Sequence, residues 1–443
     1  MTVFNRSSKS LALLILKRLL DIGIVFYLIL IPIVLATGGF KFKLLGVKVG
    51  ANHLYTPLKF LVPLVLVRLA ITVEIKNFLL LIITIVLCLL GSEVFIRVWD
   101  PPIAKPGMYQ IHRPSPVFGW ELLPGASGFG PAGTYIHING DGFRDNDYSL
   151  EKKVGVLRIM VVGDSFTFGM GVNLEDTYSK QLERLLNDTT TTSEVINGGV
   201  IGYGLWQYLE TLKRKIIPYK PDLVILGLFT NDMLTSFSPY KHLENWPGTN
   251  PFAKNASSVM GRSYLWNFFM NWNEIFETKY RYHRGYRYLI GIEERKEETG
   301  PAHPETDCYK IMYGKLPKQV YHDFADTLHE FVRACEAADI RVLIAMIPDA
   351  AQLHDPERQE VNRFVEVTCS ELDVPFVDVI KRFEQEKDPK TLYLFPLDAH
   401  TSPIGHRLIA ESIAEEIKKM DILASSCPFL GVHITYFNPH SVS

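Results

Sequence analysis

The chain has 443 residues, more than one ordinary domain of ~100–200 residues holds. It is 47% hydrophobic, 21% charged and 12% aromatic, which excludes a disordered, collagen-like or low-complexity protein. A net charge of −2 gives no basic field for nucleic acid, and five scattered cysteines without a CxxC pair exclude a disulfide-dense scaffold or a zinc module, although one bridging pair stays open.

The mean hydropathy of +0.08 is high for a soluble enzyme, and the excess is concentrated in residues 1–100. Ile22 to Phe40 is a run of 19 uncharged residues, close to the ~20 that cross a bilayer, with no small-residue cleavage site after it. Asn77 to Ser92 adds 16 more and extends to Trp99, where Arg97 can snorkel and Trp99 can anchor. Pro57 to Val73 reads as a third crossing, although it carries Lys59 and Arg68. Residues 1–100 are therefore expected to form a membrane region of two to three helices. The Lys/Arg bias favours a cytoplasmic N-terminus, with Arg6, Lys9, Lys17 and Arg18 inside and Lys41, Lys43 and Lys48 outside. Three crossings put the rest of the chain on the extracytoplasmic side, whereas two leave it in the cytoplasm.

Residues 101–150, rich in Pro, Gly and aromatics, read as a connecting region of short strands and turns. A strand–helix alternation follows over 151–425. Strands are expected at 157–162, 193–198, 222–229, 341–347 and 374–379. Helices are expected at 175–186, 203–217, 319–338, 356–370 and 403–419. That rhythm predicts an α/β parallel sheet covered on both faces, with the site at the carboxyl ends of the strands. An insertion at 233–318 interrupts it, and 426–443 is a tail. Tyr264 to Tyr288 holds ten Phe, Trp or Tyr residues, which fits a lid over a carbohydrate cleft, a small core of the insertion's own, or a patch resting on a membrane surface.

Four blocks carry chemistry. Gly163-Asp164-Ser165 directly follows the first strand and exposes a serine hydroxyl on a tight strand-to-helix turn. Asp398-Ala399-His400 supplies a base and a carboxylate to orient it, in the chain order Ser, Asp, His. Asn197 to Gly202 follows the second strand and Thr230-Asn231-Asp232 the third. A glycine N–H and an asparagine amide are suitable oxyanion donors. The plainer readings of these residues are a solvated loop histidine, turn glycines and an Asx turn, with His406 a structural or supporting group inside the last helix.

Together the blocks GDSFTFG, NGGVIGYG, FTND and DAHTSPIGH resemble, in order and in strand-end position, those of the SGNH or GDSL hydrolases. The resemblance spans about 155–420 and implies a flavodoxin-like sheet sandwiched by helices. It further implies Ser165 as nucleophile, His400 as base, Asp398 as its partner, and the oxyanion hole from Ser165, Gly202 and Asn231. No cofactor and no metal are implied. Two departures stand out. The last block is Asp-x-His where Asp-x-x-His is commonest, a spacing similar to that of some polysaccharide O-acetylation proteins, and Thr230 stands where glycine is frequent. The expected function is a membrane-anchored esterase or O-acyltransferase acting on acyl esters, acetyl above all, of cell-surface carbohydrate. The alternative is a catalytically silent scaffold of the same fold in surface-polysaccharide assembly. A phosphate or flavin site explains the first block alone.

Overall fold

A computed structural model describes residues 2–37, 40–44, 47–51, 55–105, 107, 111–187, 192–235, 262–272, 318–353, 359–394 and 399–420. The chain divides into two compact units. One comprises residues 1–106 and 258–286, the other 107–257 and 287–443.

The first unit contains helix α1 (Thr2–Thr37), a hairpin of β1 (Phe40–Leu44) and β2 (Val47–Ala51), and helices α2 (Tyr55–Ala70) and α3 (Ile75–Trp99). Among the described residues α3 alone is long and apolar enough to cross a membrane. The uncharged run from Ile22 does not stay helical to Phe40. Helix α1 stops at Thr37, and the alternating FKFKL and VKVGA segments pair as strands, a period-two signal outweighed in the sequence by the length of the apolar run. Helix α2, 16 residues long, spans only about 24 Å, short of a ~30 Å hydrocarbon layer. It packs on α1 through stacked Tyr27 and Phe60 rings and through Arg68, which pairs with Asp21 at 2.7 Å. The arginine of the middle segment, in the last turn of α2, thus has a carboxylate partner.

The second unit begins with two antiparallel hairpins, β3 (His112–Ser115) with β4 (Gly119–Leu122) and β5 (Ser127–Phe129) with β6 (Tyr135–His137). Then come β7 (Val156–Gly163), α4 (Ser165–Phe168), α5 (Tyr178–Asn187), β8 (Thr192–Asn197) and α6 (Leu205–Thr211). The last is extended by a wide turn, Leu212–Ile216, and stopped at Pro218. The rest is β9 (Leu223–Leu228), α7 (Asp232–Thr235), α8 (Lys318–Ala337), β10 (Arg341–Met346), α9 (Glu360–Glu371), β11 (Phe376–Asp378), α10 (Ile380–Phe383) and α11 (Pro403–Lys419).

The five-stranded sheet runs β11-β10-β9-β7-β8, all parallel. Its central strands are apolar at consecutive positions because both faces are covered. Leu157, Ile159 and Val161 of β7 join one core with α5 and α11, while Met160 and Val162 join the other with α6 and α8. The first strand lies between the second and the third, so the order of winding reverses at the end of β7. That reversal opens a crevice at the carboxyl edge of the sheet.

Candidate active site

Ser165 sits at this crevice, one residue beyond Asp164, the N-cap of α4, whose carboxylate accepts the Phe166 N–H at 2.8 Å. The turn is tight. A Cβ on Gly163 would lie 2.0 Å from Thr167 Oγ1 and 2.6 Å from the Gly227 carbonyl, so only glycine lets the strand end against the helix that follows. Thr167 Oγ1 in turn shares a 2.7 Å hydrogen bond with the Tyr178 hydroxyl and ties α4 to α5.

Ser165 is 9% exposed, and its Oγ lies 2.7 Å from His400 Nε2 across 235 residues of sequence. The imidazole rests on Phe166 with ring centroids 4.6 Å apart, and Phe166 stacks on Phe229 at 3.9 Å. The His400 loop is pinned from both sides. The Leu394 N–H donates to the His400 carbonyl at 2.8 Å, and Ser402 N–H to the Leu392 carbonyl at 2.9 Å. Ser402 also caps α11, where its hydroxyl accepts the Gly405 N–H. Asp398, the predicted partner of His400, lies outside the described residues.

The two predicted oxyanion donors come from the neighbouring strand ends. Gly202 follows β8 with φ +74°, a left-handed conformation suited to glycine that turns its backbone out of the strand direction. The loop before it is tied to β7, because Gly198 N–H donates to the Val161 carbonyl at 2.7 Å and Val200 N–H to Gly163 at 3.0 Å. Asn231 follows β9 and is half-buried. Beside it, Asp232 is buried, accepting the Phe229 N–H at 2.8 Å and the Tyr208 hydroxyl at 2.7 Å. Ser165, Gly202 and Asn231 therefore stand at the ends of three adjacent strands, β7, β8 and β9.

The carboxyl groups under this site are not ordinary. Burial raises Asp164 to about 6, opposed by the Phe166 N–H, the His400 charge, the Asn231 amide and the Ser165 hydroxyl. Burial and the neighbouring Asp164 charge push Asp232 well up, against the bonds from Phe229 and Tyr208. His406 goes the other way. Fully buried, it is lowered to about 3, chiefly by desolvation and then by the charges of Arg144 and His400. Its Nδ1 accepts the Tyr178 N–H at 3.1 Å, so the ring proton is on Nε2, which donates to Thr401 Oγ1 at 3.2 Å. A neutral His406 thereby holds the residue next to His400 and bolts that loop to α5.

The segment between β6 and β7 contains the supporting residue that sequence reading passes over. Arg144, fully buried, donates from Nη1 to the carbonyls of Phe168 and Gly169 at 2.8 and 2.5 Å, and from Nη2 to Val172 at 2.6 Å. Burial lowers its pKa to about 10, which leaves it cationic at neutral pH. Next to it, Asp145 accepts the Asn197 N–H at 2.8 Å and pairs with buried Lys180 at 2.8 Å. One strap, Arg144-Asp145, thus fixes both the turn after Ser165 and the end of β8. A fully buried charge needs dedicated partners, and the turn-rich run NGDGFRD gives no sign in the sequence that its arginine is buried.

A concavity of about 980 Å³ lies at the opposite, amino-terminal edge of the sheet, lined by Lys152, Val156, Asp222, Arg341 and Asp373. Two of its charges are engaged in the fold, Lys152 with Asp222 and Asp222 with the Arg158 N–H, and its described lining holds no serine or cysteine. The chemistry belongs at the carboxyl edge.

Residues 161–408 match the model of the GDSL-like lipase/acylhydrolase family, more than half of the chain. The chain belongs to that family. It is accordingly a serine hydrolase of ester bonds, and the five-stranded sheet flanked by helices is the SGNH hydrolase fold. No curated protein matches it in sequence. Among solved structures it is similar to a lipase/acylhydrolase from Enterococcus faecalis, with 12% identity over 59% of this chain and 96% of that one and a TM-score of 0.35. It is also similar to an acetylxylan esterase from Geobacillus stearothermophilus, with 16% identity over 59% and 93% and a TM-score of 0.33.

Proposed function

We propose that this GDSL-family hydrolase is a membrane-anchored esterase or O-acyltransferase in which Ser165 is the nucleophile, His400 the general base and Asp398 the carboxylate that orients it. The reading rests above all on the 2.7 Å approach of Ser165 Oγ to His400 Nε2 at the reversal point of the sheet. In the reactive tautomer the Ser165 hydroxyl donates to Nε2. Oγ attacks the acyl carbonyl carbon as His400 takes the proton, giving a tetrahedral oxyanion. The N–H groups of Ser165 and Gly202 and the Asn231 amide receive that charge. Collapse of the intermediate breaks the ester C–O bond, and the leaving alcohol departs with the proton from His400. The acyl-enzyme then passes its acyl group, by the reverse proton traffic, to water or to a sugar hydroxyl.

Short acyl groups, acetyl above all, on cell-surface carbohydrate are the proposed substrates. The proposed place is the extracytoplasmic face, with α3 in the membrane; the apolar, exposed surface of α3 supports the anchor. Hydrolysis of a series of aryl esters from acetyl to dodecanoyl, by the full chain and by Ser165→Ala, tests the chemistry. Activity falling with chain length and lost in the variant supports the reading, and equal rates in both proteins refute it. A reporter fused after residue 443, active only outside the cytoplasm, tests the side.

A further inference from the structure

Helix 264–272 in the first unit is inside out for water. Its sequence, YLWNFFMNW, buries two asparagines one turn apart, Asn267 at 6% exposure and Asn271 at 5%. It exposes Trp266 at 41%, Phe269 at 61% and Trp272 at 52%, along with Met270. An amphipathic helix in water does the reverse.

The helix is held in that orientation at two places. Glu93, in the last turns of α3, accepts the Tyr264 and Leu265 N–H groups at 3.1 and 2.8 Å and the Ser263 hydroxyl at 2.8 Å, satisfying the free donors of the first turn. Arg97 locks Glu93 at 2.7 Å, donates to the Arg262 carbonyl at 2.8 Å and lies over the Tyr264 ring at 4.8 Å. At the far end the Asn271 amide donates to the carbonyls of Ile103 and Lys105, at 2.7 and 3.0 Å, in the turn that follows α3. Polar contacts thus face the protein, while Trp266, Phe269 and Trp272 stay exposed. Between the helix and α3 runs a groove of about 590 Å³ whose apolar wall, Leu89, Leu90, Leu265, Trp266 and Phe269, continues the exposed surface of α3.

We infer that helix 264–272 lies in the interfacial layer of a phospholipid bilayer at the carboxyl end of α3, with Trp266, Phe269 and Trp272 among the lipids and the groove taking an acyl chain. The inference rests on the reading that α3 spans the membrane. The continuous apolar wall, the inverted polarity and the site of docking, where the apolar span ends in Glu93, Arg97 and Trp99, all select lipid over a protein partner. A second copy of the chain would have to cover the outer side of α3 as well.

The test is quenching of tryptophan fluorescence in the full-length chain, reconstituted in phosphatidylcholine vesicles with bromine at shallow or deep acyl positions. Shallow bromine is expected to quench more than deep, and W266F/W272F to cut the quenching roughly twofold or more, with Trp99 supplying the remainder. Aqueous iodide should reach Trp266 and Trp272 poorly in vesicles, a second measurement that does not depend on the variant. Quenching unchanged in W266F/W272F but abolished by W99F overturns the inference and leaves the span intact. Failure of the chain to float with the vesicles, with no bromine quenching at all, overturns the span itself.

Discussion

Two buried groups with opposite signs contribute to the stability of the second unit against acid. His406 is lowered from 6.5 to about 3, so the folded state excludes a proton that the unfolded chain binds below pH 6.5. Its contribution is present above pH 6.5 and is lost as the pH falls toward 3. At about 1.36 kcal/mol per unit, the loss totals about 5 kcal/mol. Asp164, raised from 3.8 to about 6, works in reverse. The folded state holds its proton more tightly, so stability declines as pH rises from 3.8 to 6, by about 3 kcal/mol. Between pH 4 and 6 the two slopes nearly cancel. His406→Gln keeps an acceptor for the Tyr178 N–H and a donor for Thr401 but no longer titrates. Relative to the parent, its stability should fall by about 1.4 kcal/mol per unit as pH rises from 4 to 6, and Asp164→Asn should gain by the same amount. Urea denaturation of the full chain in non-ionic detergent, followed by tryptophan fluorescence at half-unit intervals of pH, measures both differences. Parallel profiles for His406→Gln and the parent would refute the neutral, buried His406 on which the positioning of the His400 loop rests.

Ser165→Ala should lower kcat for an acetyl aryl ester by three or more decades while leaving the unfolding midpoint within ~1 kcal/mol of the parent, checked by steady-state kinetics alongside denaturation. Asn231→Ala should cost about 100- to 1000-fold in kcat with a smaller change in KM, the signature of a donor that acts on the developing oxyanion. Arg144→Met leaves the carbonyls of Phe168, Gly169 and Val172 without their donor. A loss of about 3–5 kcal/mol in urea denaturation, with reduced kcat in the fraction that folds, is the expected result.

The sheet was legible because its strands are short, uninterrupted apolar runs separated by helical periods. The expected 157–162, 222–229 and 341–347 became β7, β9 and β10 within two residues at either end. Helix α11 matched its expected span because Pro403 at its first position and Ser402 as cap mark the start unambiguously. The pairing of Ser165 with His400 was legible through block order, since strand ends of a parallel sheet converge on one edge. Local pattern failed where structure depends on partners far away in sequence. Nothing near Arg144 announces that its hydrogen-bond acceptors lie 24 to 28 residues on. The hairpin of β1 and β2 was hidden by a hydropathy count blind to alternation. The inverted polarity of helix 264–272 is invisible until Glu93 and Asn271 show which face is turned inward.

These misses share a cause that bears on how the site works. The proposed catalytic groups sit on turns, which alone have little rigidity. Their precision is borrowed from buried polar residues away from the strand ends: Arg144 and Asp145 from before the sheet, Tyr178 from α5, His406 from α11. Each satisfies a backbone group or hydroxyl that the turn cannot satisfy internally. Such residues are costly to bury unless every partner is present, so the network is cooperative, and removing one member should loosen a turn rather than delete one bond. In this chain the 2.7 Å approach of Ser165 to His400 is therefore a property of four remote contacts as much as of the two residues that make it.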